Sequence, residues 1–269
     1  MHGNFHAVPD VWALMRFLLM LPILLSTAGF SRAAGDSKHL RVLCWNIHHG
    51  EGIDGKVNLD RLAAAIQAQE PDVVMLQEVD KGCKRTGNVD QPAELARLTG
   101  MNQVFGKAMD FEGGEYGQMI LSRFPLSDLK IHRLPGEGEP RIAVSAVADT
   151  PLGSITFASV HLDFKDEARQ LVQAQVASAA LLEISTSPVI LAGDFNAVLD
   201  SKTMAVFAQA PWSIVAKAGA PATHPADKPA DEIDFTIVRG LRVEKPTTVL
   251  AEALASDHRP ILTLVAKPE

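Results

Sequence analysis

The chain has 269 residues, enough for one large α/β domain. Hydrophobic residues make up 47% and charged residues 21%, which excludes a disordered chain and fits a globular fold. The formal net charge of −7 leaves no basic surplus, so tight non-specific binding of long nucleic acid by counterion release is excluded.

In chain order, the first signal is an apolar run at 17–25, broken only by Pro22 and preceded by Arg16. Small residues follow in Ser26-Thr27-Ala28 and Ser31-Arg32-Ala33, as at a cleavage site. The run is short for a membrane span. Residues 1–34 are expected to be a cleaved signal peptide, with 1–14 an upstream extension if synthesis starts at Met15. The domain would be 35–269, exported to the periplasm or the medium, and membrane-associated only if the signal stays attached. Removing 1–34 takes away Arg16, Arg32 and Asp10, which moves the formal charge from −7 to −8.

The run 40–47 is β-like. Asn58 caps a helical pattern to Gln69, with Leu59, Leu62, Ala63 and Ile66 on one face. Pro71 ends it, and 72–79 returns as a strand. Segments 117–121 and 142–148 are predicted as antiparallel strands, with Gly113-Gly114 and 135–140 as loops. A second strand–helix–strand unit follows: strand 154–162, helix 166–184, strand 188–195. After Asn196 come a short helix, a Pro- and Ala-rich loop at 221–231, and strands 233–238 and 261–265. Cys44 and Cys83 are the only cysteines; a disulfide and two buried thiols are both open, with packing preferred for Cys44 inside a strand.

The two units repeat one arrangement. Asn46 ends the first strand of unit one and Glu78 the second; His161 and Asp194 do the same in unit two. Two packed sheets with helices outside would bring these four tips together. The tetrapeptide Gly193-Asp194-Phe195-Asn196 places a carboxylate and a carboxamide at a strand's carboxyl end, where α/β sheets bind ligands. Asp234, Asp257 and His258 occupy similar strand ends or turns. Clustered carboxylates repel one another unless a cation joins them, and Mg2+ or Mn2+ is the hard ion that carboxylate and carboxamide oxygens suit.

The ordered set Trp45-Asn46-Ile47, Gln77-Glu78-Val79, His161-Leu162-Asp163, Gly193-Asp194-Phe195-Asn196, Ile233-Asp234-Phe235 and Ser256-Asp257-His258-Arg259-Pro260 resembles the endonuclease/exonuclease/phosphatase superfamily over residues 40–266. The resemblance implies a DNase I-like, four-layer α/β sandwich, with two packed mixed β-sheets flanked by helices. It implies Glu78, Asn46 and Asp257 as metal ligands, Asp194 as the group activating water, and Asn196 as the group holding that water or a phosphate oxygen. It implies His258, oriented by Asp234, and His161 as stabilisers of charge on the phosphorane. Tyr116 and Gln118 match a substrate-contacting motif, although Gln118 stands where Asn is more usual. Arg141 and His48 are candidate substrate contacts. For both, a second reading stays open: an ion pair for Arg141, and a plain polar loop for His48 with His49. Arg169 is expected to be structural and Asp163 to lie behind the site or in solvent.

The expected activity is metal-dependent phosphodiester hydrolysis by in-line water attack. A phosphomonoesterase of the inositol-phosphatase kind, a nuclease and a non-catalytic binding module of the same fold are the alternatives. Acidic charge and lean loops point to a small nucleotide or a lipid head group rather than duplex DNA, and to a monomer.

Overall fold

The computed structural model describes residues 1–3 and 38–268. Contacts divide the chain into units 1–33 and 34–269. In the first, residues 1–3 are exposed and without regular structure; the expected signal peptide lies outside the described residues. All that follows concerns the second unit.

One sheet contains β1 (His39–Asn46), β2 (Val73–Lys81), β3 (Asn102–Phe111), β4 (Gly114–Ser122), β11 (Arg242–Val249) and β12 (Ile261–Ala266), in the order β11-β12-β1-β2-β4-β3. The other contains β5 (Ser127–Leu134), β6 (Arg141–Thr150), β7 (Gly153–His161), β8 (Val189–Asp194), β9 (Ser213–Ile214) and β10 (Asp234–Arg239), in the order β5-β6-β7-β8-β10-β9. Each sheet holds one parallel pair, β1–β2 and β7–β8, among antiparallel neighbours. Those pairs are the two strand–helix–strand units, closed by α1 (Leu59–Gln67) and α3 (Glu167–Ile184). Helices α2 (Gln91–Thr99) and α4 (Lys202–Ala205) complete the outer layers.

Alternation explains the layers. In β1, Leu40, Val42 and Cys44 enter the core between the sheets, where they join Met75, Ile120, Val144, Phe157 and Ile190. Leu43 and Trp45 turn the other way and pack under α1 and α2 with Leu62, Ile66 and Leu95. On the far side, Leu191, Phe195 and Phe235 meet Ala174 and Leu181 of α3. Apolar residues on both faces of a strand require cover on both sides, so four layers result. Asn58 caps α1 as the sequence announces, accepting from Arg61 N, and Asp166, expected as the first residue of its helix, is the cap of α3, accepting from Arg169 N.

Five elements depart from expectation, the two-residue edge strand β9 among them. Helix α2 and strands β3, β5 and β11 carry no strong periodic signal, because they are short or lie at sheet edges. β5 is exposed over most of its length, and β11 carries Pro246 and two register shifts. Gly114 opens β4 rather than extending a loop. Cys44 and Cys83 are both buried free thiols.

Candidate active site

The carboxyl ends of both parallel pairs meet above the inter-sheet core. Register places Asn46 beside Gln77 and His161 beside Asp194, while antiparallel β10 brings Asp234 to Asp194 from the other side. Glycine is required at 193, because a Cβ there would stand 1.9 Å from the Val160 carbonyl oxygen of the neighbouring strand. In β2 the ladder skips between Leu76 and Val79, so two residues oppose one, and Glu78 takes a left-handed backbone at φ +58°. His48 (φ +45°) and Asn196 (φ +48°) are left-handed too. Such backbones cost a non-glycine residue energy, and their concentration at these tips marks a site the surrounding fold over-determines.

Asn46 joins the sheets: its Nδ2 donates to Glu78 Oε1 at 3.0 Å and to Asp194 Oδ2 at 3.1 Å. The same Asp194 oxygen lies 3.5 Å from His161 Nε2 and 3.7 Å from His258 Nε2. Asp194 Oδ1 accepts from the Asn196 backbone N–H at 2.9 Å, which fixes the carboxylate plane. Asn196 Nδ2 donates to the Leu162 carbonyl at 3.1 Å, leaving its Oδ1 as the acceptor end. Behind the cavity, His258 Nδ1 donates to Asp234 Oδ2 at 2.9 Å. The 256–260 turn is stapled in place by Trp45 Nε1 to the His258 carbonyl (2.7 Å) and Ser256 Oγ to the Asn46 carbonyl (2.7 Å).

Charge is strongly redistributed. Burial pushes Asp194 up to about 7; the Asp234 charge adds to this, and His258 opposes it. Burial alone would lower His258, but the Asp234 and Asp194 carboxylates outweigh it and raise the imidazole to about 10. His258 is therefore an imidazolium at neutral pH. Asp234 is held below its ordinary value because the His258 charge and hydrogen bond overcome the cost of burial. His161 is the opposite case. Burial, then the charges of Arg141 and His258, lower it well below 6.5. Arg141 Nη1 lies 2.8 Å from His161 Nδ1. Arginine has no acceptor, so Nδ1 must accept, and Nε2 carries the proton facing Asp194.

Glu78 is raised by withdrawal of its carboxyl from water, with Asp257 adding to the effect against Asn46 and the histidines. Among the described residues neither Glu78 nor Asp257 forms an ion pair with Lys or Arg. Two carboxylates and the Asn46 carboxamide, without a protein cation, form a hard-oxygen donor set that fits a divalent cation. Ligand atoms of His224, Asp257 and His258, and of Asp194, Asp234 and His258, also lie within 4.8 Å of one another. An imidazolium paired with Asp234 is a poor ligand, so these groups are better described as an ion-pair network.

A cavity of about 680 Å3 opens above these groups. It is lined by nine of the residues singled out from sequence: His48, Glu78, Tyr116, Arg141, His161, Asp194, Asn196, Asp257 and His258. Asn46 and Asp234 lie directly behind them through the bonds above. Gln118 is a correction. Its side chain is 3% exposed, points between the sheets and donates Nε2 to the Ile142 carbonyl at 2.7 Å, outside the cavity lining. It shares the face of Tyr116 on β4 but lies one pleat further along the strand, about 7 Å from it. His49 also turns away, toward Glu51 at 3.5 Å, while His48 lines the cavity. Arg141 meets Glu139 at 3.4 Å, as its ion-pair reading expects, and also lines the cavity. Arg169 and Asp163 pair at 2.8 Å behind the site.

The cavity also holds residues that the sequence did not announce. Arg85 is gripped by Asp80 through two bonds of 2.8 Å and lies over Phe111 and Tyr116, 4.7 and 5.5 Å from their centroids. The His224 ring lies tilted against the His258 ring, with centroids 4.8 Å apart. A lone histidine in a proline-rich loop was a readable signal for His224; nothing local marks Arg85.

Residues 43–258 match the model of the Endonuclease/Exonuclease/phosphatase family. The chain is 25% identical over 237 residues to the uncharacterized protein YbhP of Escherichia coli K12, covering 82% of this chain and 94% of that protein. It superposes on an endonuclease/exonuclease/phosphatase from Beutenbergia cavernae with a TM-score of 0.71 at 25% identity, covering 86% of this chain and 72% of that one. A mannosyl-6-phosphatase of Bacteroides thetaiotaomicron superposes with a TM-score of 0.70 at 18% identity, covering 84% and 99%, a likeness of fold alone. The chain belongs to the endonuclease/exonuclease/phosphatase family of phosphoric ester hydrolases.

Proposed function

We propose that the protein is an exported, Mg2+-dependent phosphodiesterase acting by in-line attack of an activated water, with Mn2+ as the alternative ion. The observation that carries this reading is the single Asp194 Oδ2 held among Asn46, His161 and His258 at the cavity floor. Glu78, Asp257 and Asn46 would hold the ion, which supplies polarisation of a phosphoryl oxygen and stabilisation of the leaving oxygen. Asp194, near 7, is matched to removing a proton from water at neutral pH. Asn196 Oδ1 accepts the second proton of that water and so aims its lone pair. His258 donates Nε2–H to a non-bridging phosphate oxygen as a cation, with Asp234 fixing Nδ1. His161 donates Nε2–H as a neutral group, and Arg141 keeps it so. Tyr116 and His48 border the substrate. Donors aimed at developing charge in a water-poor cavity account for most of the rate.

Charge favours a diester over a monoester. Arg85 and Arg141 are already engaged by Asp80 and Glu139, and Glu78 and Asp257 add negative charge beside the ion. A monoanionic diester meets less repulsion than a monoester dianion. The same acidity supports a small substrate over duplex DNA, and a monomeric enzyme. Export rests on the apolar run at 17–25 and the small residues after it. N-terminal sequencing from the native host should find a start near residue 29, 34 or 35; an intact N-terminus on cytosolic protein refutes it. The activity test compares kcat/KM for bis-p-nitrophenyl phosphate and p-nitrophenyl phosphate under the same Mg2+. A higher value for the diester is expected, and a clear preference for the monoester overturns the reading.

A further inference from the structure

In-line attack decides which wall of the cavity meets the leaving group. Asp194 and Asn196 stand at the end of β8, with Phe164 after β7, so water held there enters from the side of one sheet. The leaving oxygen emerges opposite, toward the wall that the other sheet builds with Glu78, Arg85 and Tyr116. Water adds to phosphorus, the bond to the departing oxygen breaks, and that oxygen takes up a proton. The products are a monoester and a free alcohol.

Arg85 is a built donor on this wall. Its Nε and Nη2 each donate to Asp80 at 2.8 Å, and Asp80 is fully buried. Thr86 Oγ1 donates to the same carboxylate at 3.2 Å, and the Arg85 backbone N–H donates to Glu112 Oε2 at 2.8 Å. The guanidinium lies over Phe111 and Tyr116 and covers them, so this wall offers the cavity polar atoms rather than a bare ring. With one edge spent on Asp80, Nη1 is the donor end left for the cavity. A fork fixed in advance loses little freedom when it binds.

The surroundings select what Nη1 can take. An alkyl chain would strip water from it and return no hydrogen bond. A second anion would meet acids: burial, then the charges of Glu78 and Glu139, push the Tyr116 phenol well above its ordinary value, so both carboxylates act at this corner. The charge of Arg85 is already matched by Asp80. A neutral hydroxyl accepts from Nη1 and can donate its own proton to Glu139, which lines the same cavity with its side chain 34% exposed.

We infer that Arg85 is a specificity-determining residue, the anchor of a leaving-group subsite for a neutral alcohol bearing vicinal hydroxyls, with Glu139 as the acceptor beside it. This rests on the phosphodiesterase reading of the cavity. A site built to hydrogen-bond a substrate hydroxyl discriminates against the analogue that lacks it.

The test is calorimetric binding of bis(2,3-dihydroxypropyl) phosphate and dipropyl phosphate to the full chain at one MgCl2 concentration. The two probes share charge and carbon skeleton and differ in the hydroxyls. Wild-type protein is expected to bind the diol diester about tenfold or more tighter, the scale of one hydrogen bond to a charged group. Arg85→Lys keeps a cation for Asp80 and loses the fork, so it should bring the two affinities together. Leu129→Ala, at an exposed leucine on β5, should leave the difference intact. Equal affinity in the wild type overturns the subsite whatever the variants do, and so does equal weakening of both probes by Arg85→Lys. Tighter binding of bis(2-carboxyethyl) phosphate than of the diol diester overturns it in favour of an anion. The mixed diester 2-fluoroethyl 2,3-dihydroxypropyl phosphate reports the side, because its two alcohols have similar acidity and seating decides which one leaves. Phosphorus NMR should find 2-fluoroethyl phosphate as the main product; a majority of glycerol phosphate overturns the leaving-side assignment. Absence of turnover of bis-p-nitrophenyl phosphate, with the diol preference intact, sinks the phosphodiesterase reading and leaves the diol contact standing.

Discussion

The two strand–helix–strand units share a scaffold and diverge in what surrounds their tips. In unit one, Glu78 faces the cavity beside Asp257 with Asn46 behind it, and among the described residues no lysine or arginine pairs with either acid. In unit two, His161 and Asp194 sit among charged partners, with Arg141 on one ring and the cationic His258 beside the carboxylate. The first tip is the one that would take a positive charge from outside the chain on the proposed reading. The second is tuned by charges within it. On the proposed reading one architecture would provide an ion-binding end and a proton-handling end; Asn46 Nδ2 bonds the two together.

The largest effects should come from unit two and its partner histidine. Asp194→Asn and His258→Ala should each lower kcat by about 10²–10⁴-fold, the range for positioned acid–base and charge-stabilising groups. Both should remain folded, as thermal melts would show. Retention of more than about half of wild-type activity removes that residue from the mechanism. Glu78→Gln breaks unit one instead. It should weaken metal binding in a titration by more than about tenfold, the lower bound for groups one layer further from an ion. An unchanged affinity contradicts the ligand assignment.

Arg141→Gln sharpens the contrast within unit two. Glutamine can accept a proton from Nδ1 and carries no charge, so His161 should move up, while burial, the larger cause, and His258 still hold it below its ordinary value. The nitrogen-15 ring shifts of His161 should show neutral Nε2–H in the wild type down to pH 6, and in the variant protonation that begins at a higher pH than in the wild type. An imidazolium in the wild type at pH 6 would remove Arg141 from this role.

The smallest effect concerns Asp163. Burial would raise its carboxyl, but the amides of Lys165 and Asp166 and the Arg169 guanidinium hold it below 3.8. A depressed carboxyl contributes stability above its unfolded value and loses it as pH falls through the folded one. Asp163→Asn should cost about 1 kcal/mol at pH 7 and nothing once both carboxyls are protonated. A pH-independent difference in chemical denaturation contradicts that origin.

How much of this was legible in the sequence depended on whether the signal was local. Strand tips were readable because an apolar run ending in a polar residue states both the strand and its end, as at Ala192-Gly193-Asp194. Asn58 was readable as a cap from its place before an apolar periodic run, while Asp166 was read only as the start of its helix. Gln118 misled, because its place beside Tyr116 in the sequence is one pleat further along the strand. Arg85 and His224 reach the cavity only through loops folded over it, and Phe164 follows a recognisable motif without being part of it. Edge strands β3, β5 and β11 were hidden because solvent on one side removes the apolar pattern that marks a strand.

The most direct measurement is turnover of bis-p-nitrophenyl phosphate before chelation, after exhaustive EDTA treatment, and after return of Mg2+. If the unit-one tip supplies an ion-binding end that the chemistry needs, turnover is lost on chelation and restored by the ion. Full turnover after exhaustive chelation would contradict it.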